Sequence, residues 1–286
     1  MLIIDSVAAL RETVRGWRLK ELSVAFVPTM GNLHEGHLHL VREAKRLADR
    51  VVVSVFVNPT QFSPGEDFDA YPRTPAADAE KLRGVATDLL FMPSAGELYP
   101  AGLGATTFVE VPVLSDELCG RFRPGHFRGV ATIVCKLFNL VQPDVALFGE
   151  KDYQQLLIIR RMAADLDFPV RIHAVPTVRE ASGLALSSRN TYLTTEQKEQ
   201  AALLYRCLCR AAEAIRRGEL DFERIERQQI ETLQAAGFRP DYFSVRRETD
   251  LAPAGPEDSC LVILAAAWLG KARLIDNVRL TRELSR

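Results

Sequence analysis

The chain has 286 residues, 47% of them apolar and 26% charged, with a formal net charge of −1. That composition fits a globular protein of one large or two moderate domains. It gives no electrostatic reason to expect nucleic acid as the main partner, and no apolar run approaches the roughly 20 residues that span a bilayer. The five cysteines, Cys119, Cys135, Cys207, Cys209 and Cys260, form no CxxC pair. Free thiols in a reducing cytoplasm are therefore expected rather than a disulfide framework. The opening "MLIIDSVAALRETVRGW" carries acidic residues early and no cleavable signal pattern, and is expected to be mature protein.

In chain order, Val24 to Val27 read as a buried strand. From Leu38 onward, Leu40, Val41, Ala44, Leu47 and Ala48 follow helical spacing. "VVVSVFVN" is a near-continuous β-branched run, as in a parallel strand covered on both faces. Strand, helix and strand make a βαβ unit with a right-handed crossover. "TPAADAEKLRGV" predicts a helix with Pro75 in its first turn, "DLLFMP" a strand, and "HFRGVATIVCKLFNLV" a helix with one apolar side. "DVALFGE", "DYQQLLIIRRMAADL" and "VRIHAVPTV" continue as strand, helix and strand. The expectation is an α/β fold, a Rossmann-like doubly wound parallel sheet spanning residues 1–184.

Beyond "SGLALSSRN" the pattern changes. Thr194 and Gln197 form a candidate capping box that opens one long helix, stopped near Gly218. "DFERIERQQIETLQAAG" predicts a second helix, followed by strands in "DYFSVR", "CLVILAAAWL" and "ARLIDNVRL". Residues 185–286 are expected to form a smaller α+β domain closing over the active site, with the boundary between Val178 and Asn190.

Three of the chain's five histidines crowd into "GNLHEGHLHLV", at the strand-to-helix junction. A metal site lacks a third ligand nearby and the HExxH spacing. Histidines satisfied as helix caps are a plain alternative, but that reading has to account for Gly31 and Gly36. Glycines there let a ligand approach the backbone, and a helix start offers unpaired N–H groups to an anion. Phosphate fits all of these features. The dipole biases a helix-start imidazole toward neutrality, and it can still donate to a leaving phosphate.

Two further stretches suit the same chemistry. In "FGEKDYQQ", Lys151 supplies a point charge for phosphate, Asp152 an acceptor for a ribose hydroxyl, and Gln154 or Gln155 an amide for a small polar substrate. In "LALSSRN", Ser187 and Ser188 offer hydroxyls and Arg189 a planar fork. Taken alone, the first reads as a helix cap with a solvated lysine and the second as a polar hinge. The order HxGH, GEKD, SSRN raises all three.

The chain resembles the pantothenate synthetase (pantoate–β-alanine ligase) family of HxGH nucleotidyltransferases. The motifs are "PTMGNLHEGH", "VFVNPTQF", "DAYPRT", "RPGHFRGV", "FGEKDYQQL", "GLALSSRN" and "AAWLGKARLIDN", in that order, and they cover nearly the whole chain. The resemblance implies ATP and Mg²⁺ as cofactors, pantoate and β-alanine as substrates, a pantoyl-adenylate intermediate, and AMP and pyrophosphate as products. It also implies a homodimer in the cytoplasm, with neither nucleic acid nor membrane as partner.

By the same resemblance, ATP is held by Met30, Gly31, Asn32, Leu33, His34, Glu35, Gly36 and His37, and by Gly149, Glu150, Lys151 and Asp152. Val178 lies against adenine, Leu186 also meets ATP, and Ser187, Ser188 and Arg189 close over the phosphates. His37, His34, Lys151 and Arg189 are the implied catalytic residues, with His37 donating a proton. Gln61 and Gln155 clasp pantoate beside Phe62, and Gln61 also meets β-alanine.

His39 is expected on the helix surface, and Arg123 and His126 fit either β-alanine or phosphate contact or a loop before a helix. No Mg²⁺ ligand is assigned, because Ala77 stands at the acidic position before Asp78. Three residues depart from the family pattern: bulky Arg121 and Phe122, and Ser182 at a commonly acidic position. Two rival functions remain. Another HxGH nucleotidyltransferase would want a basic pocket for an acceptor phosphate, where this chain offers amides. A non-catalytic nucleotide-binding regulator would bind ATP without turnover.

Overall fold

The computed structural model describes residues 1–63 and 65–283. They divide into two compact units: Met1–Asp116, Arg123–Glu150 and Gln155–Pro176 form the first, and Glu117–Phe122, Lys151–Gln154 and Thr177–Arg286 the second.

In the first unit, two elements precede those expected from periodicity, β1 (Leu2–Ile4) and α1 (Val7–Arg18). The chain continues through β2 (Val24–Thr29), α2 (Glu35–Leu47), β3 (Arg50–Val55), α3 (Pro75–Gly84), β4 (Leu89–Phe91) and the short α4 (Ala95–Leu98). A four-residue helix of the second unit, α5 (Cys119–Phe122), is followed by α6 (His126–Val141), β5 (Val145–Gly149), α7 (Tyr153–Asp165) and β6 (Arg171–Val175). The six strands form one parallel sheet in the order β1-β4-β3-β2-β5-β6.

Side-chain alternation in the strands fixes the layers. Ala25 and Val27 of β2, with Val51 and Val53 of β3, pack with Val41 and Ala44 of α2 and Leu82 of α3. Phe26 turns the other way and meets Phe138 of α6 edge to face, ring centroids 6.4 Å apart; Phe138 also contacts Phe148 and Phe168. Burying one such ring contributes about 2–3 kcal/mol. Chain order reverses between β2 and β5, so their carboxyl ends flank the switch point where open α/β sheets bind ligands.

The second unit carries α8 (Thr195–Ala201), α9 (Leu203–Arg216) and α10 (Phe222–Ala235) with an antiparallel sheet, β7 (Arg239–Arg247), β8 (Cys260–Leu269) and β9 (Ala272–Thr281), in that order. Leu261, Ile263, Ala265 and Ala267 of β8 pack with Leu208, Ala211 and Ile215 of α9 and Leu233 of α10. The capping box at Thr194 forms with Gln197. The single long helix expected after it is instead two, because the turn tightens at Ala202, whose N–H bonds Gln200 O in place of the α-helical partner. No glycine or proline marks that break.

The second unit begins at Thr177, ahead of the expected boundary after residue 184, and takes in two earlier segments. Hydrogen bonds explain their allegiance. Gln154 accepts from Cys119 N (3.1 Å) and donates to Glu117 O (2.7 Å), Tyr153 donates to Glu248 O (3.0 Å), and Asn277 donates to Lys151 O (3.0 Å). No helix among the described residues is long and apolar enough to cross a membrane.

Candidate active site

In the first unit, β2 runs at its carboxyl end into the turn Met30–His34. Gly31 sits there at φ +84°, where a Cβ would lie 3.0 Å from Val55 Cγ1 and 3.1 Å from Asp78 Oδ2. Glycine is required on both counts. The fully buried Asp78 of α3 holds the turn, its carboxylate accepting from Asn32 N (2.9 Å) and Leu33 N (2.8 Å). Lys81 donates to Leu33 O at 2.6 Å. Asp78 has no candidate role in the sequence, since its partners lie 45 and 46 residues away; an acid in the first turn of α3 is the only local signal.

The helix begins at Glu35 rather than Leu38 because His34 is itself the N-cap. His34 Nδ1 accepts from Gly36 N (3.2 Å), and His37 Nδ1 accepts from His34 N (3.3 Å), a capping box built from two imidazoles. The rings lie 4.0 Å apart. With both Nδ1 atoms accepting, the neutral rings carry their protons on Nε2. Capping and phosphate donation are thus compatible, since they use opposite nitrogens of each ring. Glu35 is turned outward to Arg42, whose hydrogen bond holds its carboxyl below the usual range. His39 is half-buried farther along α2.

Next along the sheet edge, β3 leads to a 3-10 turn at Pro59–Gln61. Gln61 is buried, donates to Met30 Sδ (3.0 Å) and accepts from Asn58 Nδ2 (3.2 Å). Asn58 in turn donates to Gly129 O (3.1 Å) and accepts from Tyr99 OH (2.8 Å). A Cβ at Gly129 would sit 2.3 Å from Thr60 O, so glycine lets α6 press against this turn. The structure gives Arg123 and His126 positions in the same construction. Arg123 donates to His126 Nε2 (3.0 Å) and forks onto Glu66, so His126 Nδ1–H faces Gln61 O at 2.8 Å. Phe62 packs with Phe68 and Tyr71.

Of the two adjacent glutamines in "DYQQ", Gln154 is taken up by Glu117 and Cys119 within the second unit. Gln155 is half-buried in the first turn of α7. Gly149 and Glu150 close β5 and enter a 3-10 turn, Glu150–Asp152.

In the second unit, the Lys151 ammonium lies 3.7 Å from Asp152 and is mostly covered, whereas Asp152 is half exposed. Val178 and Leu186 belong to a small hairpin: Leu186 N donates to Val178 O (3.0 Å), and Arg179 bridges Ala185. Ser187 caps the 3-10 turn Ser188–Tyr192 by accepting from Arg189 N at 3.3 Å. Lys151, Ser187 and Asn190 line one narrow cleft with Asp276.

The three unusual residues are all accommodated. Ser182 Oγ accepts from Leu184 N (3.3 Å) and so closes the hairpin turn as an acid would. Arg121 forks onto Glu117 (2.7 and 2.9 Å), and Phe122 lies against Tyr242, centroids 6.1 Å apart.

Residues 2–279 match the family model described as pantoate-beta-alanine ligase. The chain is 60% identical over 286 residues to a pantothenate synthetase of Methylococcus capsulatus, covering all of both chains. It is 55% identical over 282 residues to that of Shewanella sediminis, covering 99% of this chain and 100% of the relative. Among solved structures, the pantothenate synthetase of Thermus thermophilus superposes with a TM-score of 0.90 at 46% identity, over 97% of this chain and 99% of that one. The pantoate-beta-alanine ligase of Francisella tularensis, complexed with beta-gamma ATP and beta-alanine, gives 0.82 at 34% identity over 97% of both chains.

Proposed function

The chain belongs to the pantoate–β-alanine ligase family, and from that premise we propose how its residues divide the work. The enzyme joins pantoate to β-alanine with ATP, forming a carbon–nitrogen bond. In the first step a pantoate carboxylate oxygen attacks the α-phosphorus, the bond to the bridging oxygen breaks, and pyrophosphate leaves. A carboxylate is already ionised near pH 7, so the step needs alignment and charge neutralisation rather than a base. In the second step the amine of β-alanine attacks the acyl carbon of pantoyl adenylate, AMP departs, and the nitrogen sheds a proton.

The observation that carries this reading is the paired histidine cap at the carboxyl end of β2, beside the switch point. Its Nε2–H groups are hydrogen-bond donors suited to the charge that grows on departing pyrophosphate, with His37 the leading donor and His34 its partner. The main chain of Met30–His37 and of Gly149–Asp152 serves ATP. Lys151, Ser187, Ser188 and Arg189 answer its phosphates, Asp152 its ribose and Val178 its adenine, with Leu186 also meeting ATP beside Val178 in the hairpin. Gln61 and Gln155 take pantoate, and Gln61 also β-alanine. Neutral amides fix a small polar acid without competing for the charge on its carboxylate.

Among the described residues no three His, Cys, Asp or Glu side chains converge as a metal cage, and Asp78 already accepts two N–H groups. In this reading Mg²⁺ enters on the nucleotide, where phosphate oxygens provide its ligands and it offsets their charge. A homodimer in the cytoplasm completes the proposal.

The test is AMP release from Mg·ATP with each acid omitted in turn. Sustained turnover requiring both acids, with pantothenate formed, is expected; AMP release indifferent to them would overturn the assignment.

A further inference from the structure

The dipeptide Asp276–Asn277 of β9 has no part in the chemistry above, yet both side chains are buried and both are committed. Successive side chains leave a strand on opposite faces, so one dipeptide can reach two segments. On one face, Asp276 receives the Arg179 fork (2.6 and 2.8 Å). Arg179 also donates to Gly183 O (3.1 Å), and its guanidinium lies 3.7 Å from the centroid of the Tyr205 ring. That ring fills the space over Gly183, where a Cβ would come within 2.8 Å. The hairpin that delivers Ser187 is thereby fixed at its stem and its turn. On the other face, Asn277 donates to the main-chain oxygen of Lys151 at 3.0 Å, and its own N–H returns to Asp276 Oδ1 at 2.8 Å.

A buried ion pair is a weak source of stability, and apolar residues of similar volume pack such a place as well or better. What the polar network supplies is a single geometry. We propose that Asp276 and Asn277 are positioning residues for the ligase reaction, Asn277 through the main chain of Lys151 and Asp276 through Arg179 and the hairpin ahead of Ser187–Arg189. The inference rests on the reading of Lys151 as a phosphate-binding residue.

The experiment is a double-mutant cycle with Asn277→Leu and Lys151→Ala, read by pantoate-dependent ATP–pyrophosphate exchange and by the KM for β-alanine. Asn277→Leu is expected to slow exchange roughly 10- to 100-fold, as small misplacements of catalytic groups do, while leaving the KM for β-alanine unchanged. In the Lys151→Ala background the same change is expected to cost less than about twofold, since coupled residues are not additive. Should Asn277→Leu not fold, Asn277→Asp replaces the donor by an acceptor at constant volume and repeats the test. Unchanged exchange in folded Asn277→Leu overturns the proposal, and so does an equal loss in both backgrounds. Normal exchange in Lys151→Ala alone removes the reading of Lys151, and the proposal with it.

Discussion

His34 and His37 cap the same helix end reciprocally, each turning Nδ1 to a main-chain N–H while their rings lie 4.0 Å apart. One pair of side chains thus caps the turn through Nδ1 and, in the reading proposed above, offers Nε2–H of each ring to phosphate. The two roles are separable, because asparagine caps helices as well as any residue but carries no imidazole. His34→Asn is expected to melt within a degree or two of the parent yet to lose adenylation. His34→Ala is expected to lose adenylation and also about 1 kcal/mol of stability. Thermal unfolding beside exchange kinetics checks both, and full activity in His34→Asn would reduce the residue to a cap.

Asp78 is the support of this turn. Removing its carboxylate leaves the N–H groups of Asn32 and Leu33 without their acceptor. Asp78→Ala is expected to cost roughly 2–6 kcal/mol, from two unsatisfied donors at about 1–3 kcal/mol each, and to weaken ATP binding with it. Urea unfolding measures the first and calorimetric titration with a non-hydrolysable ATP analogue the second. A stable variant that binds normally would show that the turn does not depend on Asp78.

The two glutamines proposed to take pantoate differ in their surroundings, and their variants should differ accordingly. Gln61 is buried and bonded to Asn58 and Met30, whereas Gln155 is half-buried at the start of α7. Both Gln61→Ala and Gln155→Ala are expected to raise the KM for pantoate. Only Gln61→Ala should also lower stability, by about 1 kcal/mol for the lost hydrogen bonds. Pantoate saturation curves and melting curves on the two proteins make the comparison, and unchanged pantoate saturation in either would take that residue out of the pocket.

Local signals made most of the architecture legible. The β-branched run of β3, Pro75 at the head of α3 and the Thr194–Gln197 box each act within a few residues, and each element forms where they point. The candidate site's local geometry was legible where a motif is contiguous, as in the turn at His34–His37. It was opaque where partners are distant in sequence. Asp78 reaches back across β3, and Gln154 is distinguished from Gln155 only by its bonds to Glu117 and Cys119. The break at Ala202 has no composition signal, because alanine favours helix on both sides of it. The assignment of Glu117–Phe122 and Lys151–Gln154 to the second unit is likewise tertiary, resting on bonds to Asn277 and Glu248 as well as on each other. Ser182 shows the converse: a departure from the family pattern that the turn absorbs with an equivalent acceptor.

The most direct test of phosphate handling by the histidine pair is pantoate-dependent ATP–pyrophosphate exchange without β-alanine, in the parent and in His37→Ala. Exchange in the parent requires adenylation and its reversal, and nothing later. Loss of one donor to a developing charge is worth roughly 100- to 1,000-fold, so exchange in folded His37→Ala should fall by that amount. Parent-like exchange in His37→Ala, with circular dichroism and melting intact, would contradict the account and return the histidines to a purely structural role.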